Sequence, residues 1–212
     1  MTHPPLPQRI YPIVDRASWI SRLGNAGARF IQLRVKGLSG TDLKNEVAEA
    51  LSAASDTGVT LVINDFWELA IELGAPWVHL GQEDLDTADL ERVREAGIRI
   101  GISTHSVPEL DRALAFSPDY VALGPIWPTR LKKMAFGPQG TQRLTEWRER
   151  IGDLPLVAIG GITLARAPEC IAAGADSVAA VSDFIFSPEP EEQVSAWIRA
   201  VTAAADTSPR QN

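Results

Sequence analysis

Cysteine is nearly missing from this chain of 212 residues, where Cys170 stands alone. That excludes an internal disulfide and fits a reducing, cytoplasmic compartment. Histidine is scarce too, at three. No Cys/His cluster of the zinc-binding kind can be assembled, and no Ser–His–Asp or Cys–His arrangement stands out. Long apolar runs are absent. None approaches the roughly 20 residues that a membrane helix needs, so no membrane partner is expected. The segment 1–8 is rich in proline and lacks the basic-then-apolar pattern of a signal peptide. Positive charge is in deficit, with 20 Lys and Arg against 27 Asp and Glu, a net charge of −7. A broad nucleic-acid surface is therefore not expected, and an anionic ligand would need a locally positive site. Low-complexity tracts and composition breaks are also lacking. The expected organisation is a flexible segment 1–8, one catalytic domain over 9–205 and a disordered tail over 206–212.

What the chain does have is alternation. Short apolar runs of about 4–6 residues fall at 10–14, 30–33, 61–63, 77–80, 98–102, 120–123, 156–159 and 178–181, as parallel strands covered on both faces require. Amphipathic stretches lie between them. Leu43, Val47, Ala50, Leu51 and Ala54 repeat at helical spacing, as do Val194, Trp197, Ile198 and Val201. The stretch 87–96 reads as a helix stopped by Gly97, and glycines recur just before strands, where they permit a left-handed helix end. Eight strand–helix units in this length predict an α/β fold, a single (β/α)8 TIM barrel. A doubly wound open sheet has the same local pattern and is the rival.

Polar residues gather at the ends of these runs. Gln32, Arg34 and Lys36 alternate with period two, so they share one side of a strand and its extension. In a barrel that side faces inward near the C-terminal mouth, where an arginine and a lysine can grip phosphate oxygens. Pairing with nearby acids is the alternative. Asn64-Asp65 and His79 to Asp84 end the next two strands. Two carboxylates at adjacent strand ends suit Mg2+, which keeps water and takes substrate phosphate oxygens; helix capping explains either Asp alone. Ser103 is placed to donate to phosphate. His105 is a candidate acid–base group or a structural loop histidine. His79 either lines the pocket or belongs to the core. The stretch 125–140 reads as a mobile lid carrying Lys132 and Lys133. Gly160-Gly161 after strand seven and Ser182 after strand eight leave room for an anion at the backbone. Cys170 lies in a helical stretch as packing.

These motifs together give the chain a resemblance. Gln-Leu-Arg-x-Lys at 32–36, Ile-Asn-Asp at 63–65, His-Leu-Gly-Gln-Glu-Asp at 79–84, Gly-Ile-Ser-Thr-His at 101–105, Gly-Pro-Ile-Trp-Pro-Thr at 124–129 and Ile-Gly-Gly-Ile at 159–162 occur in one order. From about residue 9 to 200 the chain resembles the thiamine-phosphate synthase (thiamine phosphate pyrophosphorylase) family. The resemblance implies a transferase of thiamine biosynthesis. Its small-molecule substrates would be 4-amino-2-methyl-5-hydroxymethylpyrimidine diphosphate and 4-methyl-5-(2-phosphoethyl)thiazole, and its products thiamine phosphate and pyrophosphate. It further implies that Gln32, Arg34, Lys36, Asn64, Ser103 and Lys132 bind the diphosphate substrate and that Asp65 and Asp84 hold Mg2+. Thr129, Gly161, Val181 and Ser182 would place the thiazole phosphate, with Arg130 and Leu131 in the same loop. A homodimer is implied as well.

Four positions depart from the family pattern. Val35 replaces a frequent acid and is expected to face outward. Phe66 replaces a second aspartate. Leu131 replaces a threonine, with Arg130 beside it as a compensating donor. Asp183 replaces a small neutral residue and is expected to point away from the phosphate. The expected chemistry is a Mg-assisted dissociative substitution in which Arg34, Lys36, Ser103 and Lys132 assist departure of pyrophosphate. Two other readings stay open: a thiazole tautomerase using His105, and a non-catalytic sensor of thiamine phosphates.

Overall fold

A computed structural model describes residues 3–129 and 137–207. Eight strands alternate with helices along the chain. They are β1 (Ile10–Val14), β2 (Phe30–Leu33), β3 (Thr60–Asn64), β4 (Trp77–Leu80), β5 (Arg99–Thr104), β6 (Tyr120–Leu123), β7 (Leu156–Ile159) and β8 (Ser177–Ala180). Every neighbouring pair is parallel. β8 pairs back onto β1 through Ile10↔Val178, Tyr11↔Ala179 and Pro12↔Ala180, which closes the barrel and removes the open-sheet rival.

The helices are α1 (Ser18–Asn25), α2 (Gly40–Thr57), α3 (Trp67–Leu73), α4 (Leu90–Glu95), α5 (Val107–Ala115), α6 (Gly140–Ile151), α7 (Ala167–Ala172), the short α8 (Ser182–Ile185) and α9 (Pro190–Asp206). On α2 the buried residues are Leu43, Val47, Ala50 and Ala54, one stripe at helical spacing. On α9 Val194, Trp197 and Val201 do the same. The helix expected over 87–96 is shorter. Asp84–Asp86 form one turn of 3-10 helix, and Asp89 sits at φ −83°, ψ 86° as the cap. Its carboxylate accepts from Arg92 N at 3.0 Å, so the α-helix begins only at Leu90. Ser106 caps α5, accepting from Glu109 N at 3.4 Å.

Strand parity sorts the core into two layers. Outward residues such as Ile31, Leu33, Val35, Leu61, Ile63, Val78, Leu80, Ile100 and Ile102 pack under the helices. Val35 is 7% exposed and belongs to that layer, as its parity required. Inward residues form a second cluster of Tyr11, Ile13, Phe30, Val62, Trp77, Tyr120, Ala122, Val157 and Ala179. The Tyr11 and Phe30 rings stack at 4.1 Å. Leu6 packs against this inner cluster. Gln8 donates to Gly27 O at 3.0 Å and accepts from Arg29 N at 2.7 Å, so Leu6 and Gln8, within the segment 1–8, are held against the barrel. No described helix is long and apolar enough to cross a membrane.

Candidate active site

Parallel strands end together, so the residues at their C-terminal ends share one mouth. β2 brings Gln32, with Arg34 and Lys36 just beyond it; β3 brings Asn64 and Asp65; β4 brings His79 and, after it, Asp84; β5 brings Ser103. The register sets their depth: Gln32 pairs with Val62, Asn64 with His79, and Ser103 with Ala122. Gln32, Asn64 and His79 are buried just below the rim, whereas Asp65 and Lys36 are exposed on it.

The acidic side of the mouth is electrostatically loaded. Asp65 holds a left-handed backbone at φ 65°, a conformation few non-glycine residues adopt. Its amide donates to His79 O at 2.9 Å, which ties the end of β3 to β4. Its carboxyl lies close enough to Asp84 for the two charges to interact. Desolvation first, and then the neighbouring Asp84 charge, push its pKa up to about 6, against the opposing pull of Arg34. Arg34 forms no salt bridge among the described residues. Asp84 also accepts from Gly81 N at 2.6 Å, which fixes its carboxylate at the turn after β4. The Asp84 charge that raises the proton affinity of Asp65 makes the two carboxylates a donor pair whose repulsion a divalent cation would relieve. Among the described residues no group of three or more His, Cys, Asp and Glu is gathered as a metal site. The all-oxygen pair beside Asn64 fits Mg2+, which needs few protein ligands.

His79 joins the mouth to the barrel interior. Its Nδ1 lies 2.7 Å from Tyr120 Oη and its Nε2 lies 2.7 Å from Ser103 Oγ. Burial, then the Arg34 charge, lowers its pKa to about 3, so the ring is neutral. Both ring nitrogens are engaged by protein hydroxyls. Tyr120 Oη lies 2.9 Å from Tyr11 Oη, and Gln32 Nε2 donates to Tyr11 Oη at 3.0 Å. His105 is held by Glu109: its Nδ1 meets Glu109 Oε2 at 2.8 Å and its amide donates to the same oxygen at 2.7 Å.

The other half of the mouth is built from β6, β7 and β8. After β6, Ile126 N donates to Ile159 O at 2.9 Å and Trp127 N to Gly160 O at 3.0 Å. The loop thus zips onto the end of β7. The two glycines there are required by space and conformation. At Gly161, φ is +66° and a Cβ would lie 2.6 Å from Pro128 O. Arg166 donates to Gly161 O at 2.7 Å and its guanidinium lies 5.2 Å from the Trp127 ring centroid. Thr129 ends the described part of this loop. Arg130, Leu131, Lys132 and Lys133 lie outside the described residues, which leave out 130–136 of the stretch expected to be a lid. Val181 follows β8 as the residue before α8, and Ser182 opens that helix and is exposed. Asp183 points away from the mouth, as its charge required. Its Oδ2 accepts from Leu164 N at 3.0 Å, Gln193 Nε2 at 2.6 Å and Trp197 Nε1 at 2.7 Å.

Sequence reasoning missed three things here. Tyr11 and Tyr120 were read only as strand residues, although they are the only tyrosines in the chain and their inward parity was legible. Asp183 is more than a charge turned away from an anion: it joins the loop before α7 to α8 and α9. Glu109 was not considered, and no motif marks it.

Known proteins match this arrangement. The family model described as thiamine monophosphate synthase matches residues 10–184. A thiamine-phosphate synthase of Rhizobium etli is 50% identical over 190 residues, which is 90% of this chain and 93% of that protein. One from Neisseria meningitidis serogroup B is 48% identical over 199 residues, 93% of this chain and 97% of that protein. Among solved structures, a thiamine phosphate pyrophosphorylase from Pyrococcus furiosus has a TM-score of 0.82 at 23% identity, covering 92% of this chain and 96% of its own. That likeness speaks for the barrel fold.

Proposed function

The chain belongs to the thiamine monophosphate synthase family and is a transferase, and from that premise we propose that its barrel mouth joins 4-amino-2-methyl-5-hydroxymethylpyrimidine diphosphate to 4-methyl-5-(2-phosphoethyl)thiazole, releasing pyrophosphate. The observation that carries the reading is the meeting of Asp65 with Asp84 beside the Arg34 charge. An acid pair and a cation at one rim suit a diphosphate that arrives with a divalent ion.

In this reading Gln32, Asn64 and Ser103 orient the pyrimidine diphosphate. Arg34, Lys36 and Lys132 lie against its phosphates and stabilise negative charge as the C–O bond breaks. Asp65 and Asp84 hold Mg2+, which when bound supplies further neutralisation of the diphosphate. The electron-rich aminopyrimidine tolerates a positive methylene, so departure of pyrophosphate precedes attack by the thiazole nitrogen. Thr129, Arg130, Leu131, Gly161, Val181 and Ser182 seat the thiazole phosphate on the opposite side. Positioning and electrostatics carry the rate, and no protein nucleophile is used. The proposal includes a cytoplasmic homodimer, which sedimentation velocity on the purified chain reads directly.

The test is a pair of single variants. Asp65→Ala and Asp84→Ala should each lower kcat by roughly 100-fold or more while the circular dichroism spectrum stays that of the parent. Near-parental rates in both variants would refute the metal assignment.

A further inference from the structure

Five side chains from five strands form one hydrogen-bonded line across the barrel: Gln32 on β2, Tyr11 on β1, Tyr120 on β6, His79 on β4 and Ser103 on β5. The four separations run 3.0, 2.9, 2.7 and 2.7 Å. Tyr11 and Tyr120 are 1% and 0% exposed, so water is not there to satisfy a hydroxyl left over. The line is also rigid. The Tyr120 ring lies directly over Gly101, where a Cβ would stand 2.0 Å from a ring carbon, and it stacks on His79 at 16° between planes.

Such a line has a direction. The Gln32 amide nitrogen can only donate, so Tyr11 oxygen accepts. If Tyr11 donates to Tyr120, Tyr120 donates to His79 Nδ1 and His79 Nε2–H donates to Ser103 Oγ, every hydroxyl proton between the ends has an acceptor. If His79 Nδ1 were the donor, one tyrosine proton would be left buried with none, a cost of about 1–3 kcal/mol. The first arrangement therefore holds, and it requires a neutral ring, because an imidazolium would make Nδ1 a donor as well. Its consequence falls at the far end. Ser103 Oγ is already accepting from His79, so its own proton is turned outward, towards the mouth.

We propose that the Gln32–Tyr11–Tyr120–His79–Ser103 line is a polarity device: it keeps Ser103 as an outward hydrogen-bond donor, suited to a phosphate oxygen, which can only accept. Tyr11, Tyr120 and His79 are thus positioning residues that act through Ser103. The direction of the line stands on the ligand-free structure alone. The benefit to turnover rests on the reading of Ser103 as a diphosphate contact.

Two measurements separate these parts. Nitrogen NMR of the histidine-labelled, ligand-free protein, with only three histidines to assign, should find the His79 proton on Nε2. A proton on Nδ1, or a mixture of tautomers, overturns the proposal; a Gln32 amide facing the other way would give that result. The second is a double-mutant cycle. Tyr120→Phe should lower kcat/KM for the pyrimidine diphosphate about tenfold in the parent and less than twofold in a Ser103→Ala background, because the two residues act as one unit. An equal loss in both backgrounds overturns the positioning role. Should Tyr120→Phe not fold, the tautomer of the parent protein decides. An Nε2–H tautomer in a protein that makes no thiamine phosphate would leave the line standing and remove the functional reading.

Discussion

Asp65 concentrates the case at the scale of one residue. It accepts an unfavourable backbone conformation and a neighbouring carboxylate in order to stand at the rim. Strain and like charge of this kind persist where surrounding structure holds them, most often at functional sites. The pH consequence has a definite sign. The folded pKa, about 6, lies above the ordinary aspartate value of 3.8. Between those values the folded state binds more protons than the unfolded one, so stability falls as pH rises through that window. Asp65→Asn removes the term. In EDTA the variant should melt above the parent at pH 7–8 and level with it below pH 4. The gain should be small, because Asp65 is exposed and solvent screens its charge. A parent that melts higher than the variant at pH 7 would contradict this. Asp183 makes the opposite case, a charge fully engaged inside the fold. Asp183→Ala strands the indole N–H of Trp197, which is 0% exposed, and the Leu164 amide. It should cost about 2–4 kcal/mol, read from the shift in urea midpoint.

Among the elements, the join between the β6 loop and the end of β7 is where the proposed function puts the second substrate. Gly161 lets the two backbones approach, and Arg166 bridges Gly161 O to the Trp127 face. In Gly161→Ala a methyl group would press on Pro128 O from a left-handed backbone position. The expected cost is about 1–3 kcal/mol, with a raised KM for the thiazole phosphate and little change in KM for the pyrimidine diphosphate. Gly137→Ala is the control, since a Cβ there meets no atom of the described residues within 4 Å; an equal effect at Gly137 would show that the join is not the cause. The elements were also what the sequence showed best. Unbroken apolar runs marked all eight strands to within two residues, because buried parallel strands carry their signal locally. The start of α4 was misplaced because a single residue, Asp89, decides where that helix can begin, and its cap geometry is not a matter of periodicity.

At the scale of the whole molecule, closure of the barrel turns eight local patterns into one mouth. Strand ends were legible, so Gln32, Arg34, Asn64, Asp65, Asp84 and Ser103 could be gathered from parity and position alone. Contacts across the barrel were not. Tyr11 and Tyr120 are 109 positions apart, and only the shear of a closed sheet brings their hydroxyls together. The charge of Asp183 did require it to point away from an anion, but its partners Leu164, Gln193 and Trp197 could not be read from sequence, because they depend on how α8 and α9 fold back over β8. The net charge of −7 gives the same lesson for electrostatics. An acidic protein can still present Arg34 and Lys36 where a diphosphate would lie, and the local field decides binding.

The most direct measurement supplies both substrates to the purified chain with Mg2+ and follows thiamine phosphate and pyrophosphate together. The expected result is their release in equal amounts, stopped by EDTA and restored by added Mg2+. Isomerisation of a thiazole carboxylate phosphate that continues in EDTA, or tight binding of thiamine phosphate with no turnover, would contradict the account.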